Sequence, residues 1–223
     1  MIEVKGLTKT YKAGGLVLRA VDDVSMKIEK GEMVSIVGHS GSGKTTLLSL
    51  IGGLTRPNSG TVVIDSIDLW SIDDDTLSEM RSRKMNFIYQ FSSLIPTLTV
   101  IENIILPMAF SGIKDVPHEY AMDLLDRVGL KDKAPVYPSQ LSGGQQRRAA
   151  IARAFINAPE IVLADEPTGD LDEETEQEVL KLFRSMNEER GITFVIVTHS
   201  TELAGQADRR MRMHNGIISE VEK

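Results

Sequence analysis

The sequence predicts an α/β fold with a mostly parallel sheet, an antiparallel β subdomain and an inserted α-helical subdomain. Three observations carry the prediction. Residues 1–37 alternate apolar and polar side chains around Gly14-Gly15 and Lys30-Gly31, as half-buried antiparallel strands do. Short apolar runs at 33–37, 160–165 and 193–198 are separated by helix-length stretches, as parallel strands with crossover helices require. Between them, residues 91–156 lose strand character and repeat apolar residues at helical spacing. The expected organisation is a single domain, with 1–90 and 157–223 forming the core and its β subdomain, and 91–156 the helical subdomain.

Taken in order, Ile2, Val4 and Leu7, then Val17, Ala20, Val24, Met26 and Ile28, mark the two alternating strands. Tyr11 lies in the first of them, where an aromatic can simply pack on a strand face. The run Met33-Val34-Ser35-Ile36-Val37 reads as a buried strand, and 46–51 as an apolar helix ending near Gly52-Gly53. Arg56-Pro57-Asn58-Ser59-Gly60 is a turn, and Thr61-Val62-Val63-Ile64 another strand. Asp73-Asp74-Asp75 is an acidic helix start with Arg81, Arg83 and Lys84 at the far end; dipole complementarity explains it better than a metal site does. Met85-Asn86-Phe87-Ile88-Tyr89 is a short strand that delivers Gln90. Within 91–156, Ala121, Leu124, Leu125 and Val128 recur at helical spacing, as do Arg148, Ile151, Ala152 and Phe155. A helix with Val179, Leu180, Phe183 and Met186 on one face closes at Gly191, and the last buried strand ends at His199.

The chemistry centres on Gly38-His39-Ser40-Gly41-Ser42-Gly43-Lys44-Thr45, followed by Thr46. It satisfies G-x-x-x-x-G-K-[ST] at every fixed position, after a strand and before a helix. Its glycines let consecutive N–H groups face one concavity, and the helix N-terminus adds partial positive charge, so the loop suits phosphates. Lys44 is expected at the β- and γ-phosphates, and the Thr45 hydroxyl on Mg²⁺. Four apolar residues run into Asp165-Glu166, placing two carboxylates where a parallel strand leaves the sheet. Asp165 suits the Mg²⁺ shell, and Glu166 the polarisation of an attacking water. His199 is expected at the same edge, within reach of a phosphate oxygen. Leu141-Ser142-Gly143-Gly144-Gln145 has capping-box spacing between Ser142 and Gln145, which accounts for a helix start but not for paired glycines. Those glycines expose a second set of N–H groups to an anion, and two copies arranged head-to-tail can unite it with the first.

Composition sets bounds. With 223 residues the chain can bury a sizeable core, and with no cysteine it has no disulfide or thiol chemistry. The formal charge of −7 argues against phosphate-backbone binding, so no nucleic acid is expected. The N-terminus lacks the basic-then-apolar pattern of a signal peptide, and no apolar run approaches the ~20 residues needed to span a bilayer. A soluble, intracellular protein is expected, with any membrane role exercised through a protein partner.

Over essentially its whole length the sequence resembles the ATP-binding cassette (ABC) ATPases. The glycine loop, Gln90, Leu141 to Gln145, Asp165-Glu166, Gly169-Asp170-Leu171-Asp172 and His199 occur in that family's order. The resemblance implies ATP and Mg²⁺ as cofactors, with Tyr11 stacked on adenine and Gln90 in the Mg²⁺ and water shell. It implies that Ser142, Gly143 and Gly144 contact the γ-phosphate held by a second copy, and that Asp172 lies across the dimer interface. It further implies integral membrane permease subunits as partners and a place on the cytoplasmic face of a membrane. The loops from Leu94 to Pro107 and from Ala164 to Gly169 look most like the lipoprotein-releasing, macrolide-export and cell-division ATPases. Asp170, and Tyr89-Gln90-Phe91 at the sensor loop, depart from the usual pattern. A soluble ABC protein acting on nucleic acid or ribosomes, and a non-hydrolysing regulatory module, are the alternatives. The first is disfavoured by the single cassette and the negative charge, the second by the presence of Glu166 and His199.

Overall fold

The computed structural model describes residues 2–110, 118–169 and 171–221. β1 (Ile2–Ala13) and β2 (Leu16–Ile28) form the expected antiparallel hairpin, turning at Gly14-Gly15. β3 (Met33–Val37) runs into the glycine loop, and α1 (Lys44–Ile51) follows, with Gly52 as its C-cap. β4 (Ser59–Ile64) and the two-residue β5 (Ile67–Asp68) complete a four-stranded antiparallel sheet in the order β2-β1-β4-β5. α2 (Asp74–Lys84) starts on an Asp73 cap, whose carboxylate accepts from Thr76 N at 2.9 Å. The acidic triplet is a helix start, as the charge pattern implies.

β6 (Met85–Ile88) follows α2 directly. Two helices follow, α3 (Val100–Phe110) and α4 (His118–Arg127), and α3 continues through Pro107. α5 (Gly143–Arg153) begins on a capping box, with Ser142 N donating to Gln145 Oε1 at 2.9 Å and Gln145 N to Ser142 Oγ at 3.3 Å. β7 (Ile161–Asp165), α6 (Glu173–Arg190) and β8 (Thr193–Val197) follow, and Gly191 closes α6 at φ 65°. The chain ends in elements with no counterpart in the sequence reading: α7 (Thr201–Gln206), β9 (Arg209–His214) and β10 (Ile217–Val221).

The second sheet has the order β10-β9-β3-β8-β7-β6, parallel throughout except for the terminal hairpin. Successive residues of each inner strand face opposite layers. Val162, Ala164, Phe194 and Ile196 meet α3, α4, α5 and α6, whereas Leu163, Val195 and Val197 meet α1 and the antiparallel sheet. The helical segment shares its core with the sheet. Phe155, at the end of α5, packs against Phe183 of α6 and Phe194 of β8, with ring centroids 6.2 and 6.3 Å away.

Candidate nucleotide site

Strand order assembles the site. β8 lies between β3 and β7, and β6 flanks β7, so four neighbouring strands end at one edge. They deliver, in that spatial order, the glycine loop, His199, Asp165-Glu166 and Gln90. A cavity of about 580 Å³ opens there, lined by Tyr11, Gly38, His39, Ser40, Gly41, Ser42, Gly43, Lys44, Thr45, Thr46, Gln90, Asp165, Glu166 and His199. Leu18 and Ala20 of β2 also line it; the sequence pattern marks Ala20 only as a strand residue and Leu18 not at all. The signal for Leu18 was available in the hairpin register, which pairs it directly with Tyr11.

The charged groups have internal partners. The Lys44 ammonium donates to the carbonyls of Gly38 at 2.7 Å and His39 at 3.0 Å. Glu166 sits at φ 46°, a left-handed conformation that costs a non-glycine residue about 1–3 kcal/mol, and its N–H donates to Val197 O. Its carboxylate accepts from His199 N at 3.1 Å and meets His199 Nδ1 at 2.8 Å. Asp165 is buried, and desolvation pushes its carboxyl above the usual range. A hydrogen bond with the Thr45 side chain and the charges of Lys44 and Arg147 act in the opposite direction. Ser42 Oγ is buried without a hydrogen-bond partner among the described residues. A desolvated carboxylate beside a threonine hydroxyl is a hard-oxygen donor pair that a small divalent cation fits. Backbone N–H groups at a helix start, an ammonium and a buried hydroxyl fit a phosphate chain.

Ser142, Gly143, Gly144 and Gln145 do not line this cavity. They stand at the start of α5, with Ser142 and Gly143 exposed. Asp172 caps α6, accepting from Thr175 N at 2.9 Å, and Asp170 lies outside the described residues. Tyr89 stacks on Phe87 at 5.6 Å, and Phe91, beyond Gln90, is 75 % exposed. On α5 the fully buried arginine is Arg147, not Arg148; Arg148 is half-buried and pairs with Glu178 at 3.2 Å.

Comparison with known proteins gives a consistent result. A family model described as ABC transporter matches residues 21–169. The chain is 48 % identical over 197 residues to the ABC transporter ATP-binding protein YtrE of Bacillus subtilis, covering 88 % of this chain and 85 % of that protein. It is 44 % identical over 223 residues to the macrolide export ATP-binding/permease protein MacB of Rhodopirellula baltica, covering 99 % of this chain but 33 % of that longer protein. Among solved structures, the MJ0796 cassette, described as a dimer in a post-hydrolysis state bound to ADP and Pi, superposes with a TM-score of 0.93. That match is 41 % identical and covers 100 % of both chains; MJ0796 comes from Methanocaldococcus jannaschii.

Proposed function

This chain belongs to the ABC transporter family as an ATP-hydrolysing nucleotide-binding subunit, and from that premise we propose how its residues divide the work. Two copies close on two ATP molecules, each held between the glycine loop of one copy and the α5 N-terminus of the other. One observation carries the reading. Every catalytic candidate borders one cavity, while the Ser142-Gly143-Gly144-Gln145 start of α5 lies outside it. A second copy supplies the missing half.

Lys44, whose ammonium keeps a third N–H beyond those given to the Gly38 and His39 carbonyls, offers it to the β- and γ-phosphates, and the loop N–H groups hold the same phosphates. Tyr11 and Leu18 provide an apolar wall for the base. Thr45, Asp165 and Gln90 are the residues that would hold Mg²⁺, which when bound neutralises charge on the phosphates. Glu166 accepts a proton from the attacking water. His199 orients that carboxylate through Nδ1 and, as the imidazolium with a hydrogen on each ring nitrogen, gives the other one to a γ-phosphate oxygen. Across the dimer, Ser142 and the N–H groups of Gly143 and Gly144 meet the γ-phosphate, so hydrolysis loosens the interface.

Tyr89, Phe91 and Ile95 are exposed apolar residues around Gln90, and they favour docking of a membrane-embedded partner there. Among the described residues no helix is long and apolar enough to cross a membrane. The protein then works on the cytoplasmic face, in the manner of the macrolide-export and lipoprotein-releasing group. Glu166→Gln tests the chemistry. Steady-state phosphate release should fall by at least the ~10²–10⁴ typical of general-base loss, while ATP-induced dimers persist in gel filtration. Hydrolysis near the wild-type rate would refute the role of Glu166.

A further inference from the structure

Arg147 is the most deeply buried charged side chain of the α5 helix, with 3 % of its surface exposed. Its guanidinium reaches three separate segments. Nε donates to Pro167 O at 2.8 Å, Nη2 to Glu166 O and, at 3.4 Å, to Asp165 O, and Nη1 to Tyr89 O. All three nitrogens are therefore spent on backbone carbonyls that flank the Glu166 carboxylate and Gln90. The same helix also grips the far side of the Gln90 loop: Arg153 donates from Nη1 to Ser93 O at 2.9 Å and from Nη2 to Ser92 O at 3.2 Å.

Burying a guanidinium is costly unless its donors are used, so such a side chain persists where its fork fixes geometry. Its planar fork holds acceptors at set angles, which a lysine's point charge cannot do. Five residues separate Arg147 from Ser142, a rise of about 7.5 Å along the helix, so both move with one rigid rod.

We propose that Arg147 is a positioning residue that ties the α5 N-terminus to the backbone carrying Glu166 and Gln90, so that seating Ser142 on a second copy's nucleotide sets the catalytic carboxylate. This rests on the assignment of Glu166 and Gln90 above. Closure of the dimer then adjusts chemistry in the chain that lends its α5, as well as in the cavity that receives it.

The test compares wild type, Arg147→Lys, Arg147→Ala and Glu166→Gln in steady-state ATP hydrolysis, with nucleotide-free melting curves. Displacement of a reacting group by ~1 Å can cost about 10² in rate, so kcat of both Arg147 variants should fall roughly 10²-fold. KM for ATP should stay within about threefold, because no phosphate contact is lost. Millimolar guanidinium should restore part of the Arg147→Ala rate and methylammonium none of it. Wild-type kcat in Arg147→Lys, a change confined to KM, or absence of guanidinium rescue would overturn the proposal. So would failure of both variants to fold, which would make Arg147 a structural residue only. Full activity in Glu166→Gln would instead refute the catalytic assignment, and it is read independently of the Arg147 variants.

Discussion

Two glycines of the phosphate loop separate steric need from conformational need. Gly43 lies at φ 105° and ψ 2°, and a Cβ there would stand 1.9 Å from Ala20 O and 2.8 Å from Met213 Cε. Gly41 also has positive φ, 77°, but a Cβ on it meets nothing within 4 Å. Gly41→Ala should therefore cost only backbone strain, about 1–2 kcal/mol. Gly43→Ala adds a collision with a backbone carbonyl that must retreat by about 1 Å, and overpacking of this kind costs a further ~1–3 kcal/mol. The sum is about 2–5 kcal/mol. At roughly 2–4 °C per kcal/mol for a chain of this size, Gly43→Ala should melt about 4–20 °C below wild type and Gly41→Ala about 2–8 °C below. Both are measured without nucleotide, so that ligand stabilisation does not mask the difference. Equal losses in the two variants would refute the steric argument and leave φ as the whole cause.

Two further outcomes follow from burial. Asp165→Asn should abolish turnover yet raise the melting temperature of the nucleotide-free protein at pH 7. Desolvation raises the Asp165 pKa, so its contribution to stability is fully present below the ordinary value of about 3.9 and is lost as pH rises through the raised one. The gain from Asp165→Asn should accordingly shrink as pH is lowered toward 4, and a gain independent of pH would contradict the cause given. Phe155→Ala should cost about 3–5 kcal/mol in one cooperative transition, because Phe155 packs edge-on and tilted against rings of α6 and β8; a separate early transition would show that the helical segment has a core of its own.

Features set by neighbours in sequence were legible; features set by distant segments were not. The glycine loop, the Asp73 cap, the Ser142–Gln145 capping box and the left-handed Gly191 all follow from local backbone chemistry, and each is found where the residues place it. The insertion of β8 between β3 and β7 is a choice of strand order, to which periodicity is blind, although it is what brings His199 beside Glu166. β9 carried a readable signal, since Met211 and Met213 alternate with Arg210, Arg212 and His214, but its charge obscured it. Arg147 carried none. An arginine on a helix is ordinarily solvated, and its acceptors are carbonyls of residues 18 to 58 positions away.

The same partners explain how a site built for charge survives without its ligand. An ammonium and a carboxylate largely buried in a cleft would each be costly if unpaired, yet Lys44 has two loop carbonyls and Glu166 has the exposed His199. A ligand therefore meets groups that are already partly satisfied, and the net worth of each new contact is far less than its gross strength. Asp165 is the exception. Thr45 and the nearby cations do not fully offset its desolvation, so its carboxyl remains raised. A divalent cation at Asp165 relieves an existing penalty, whereas phosphates reach a Lys44 that two loop carbonyls already satisfy in part. The cation should then contribute a disproportionate share of nucleotide affinity, and the dependence of that affinity on the cation should weaken sharply in Asp165→Asn. Equal cation dependence in the variant and the wild type would place the metal's anchorage elsewhere.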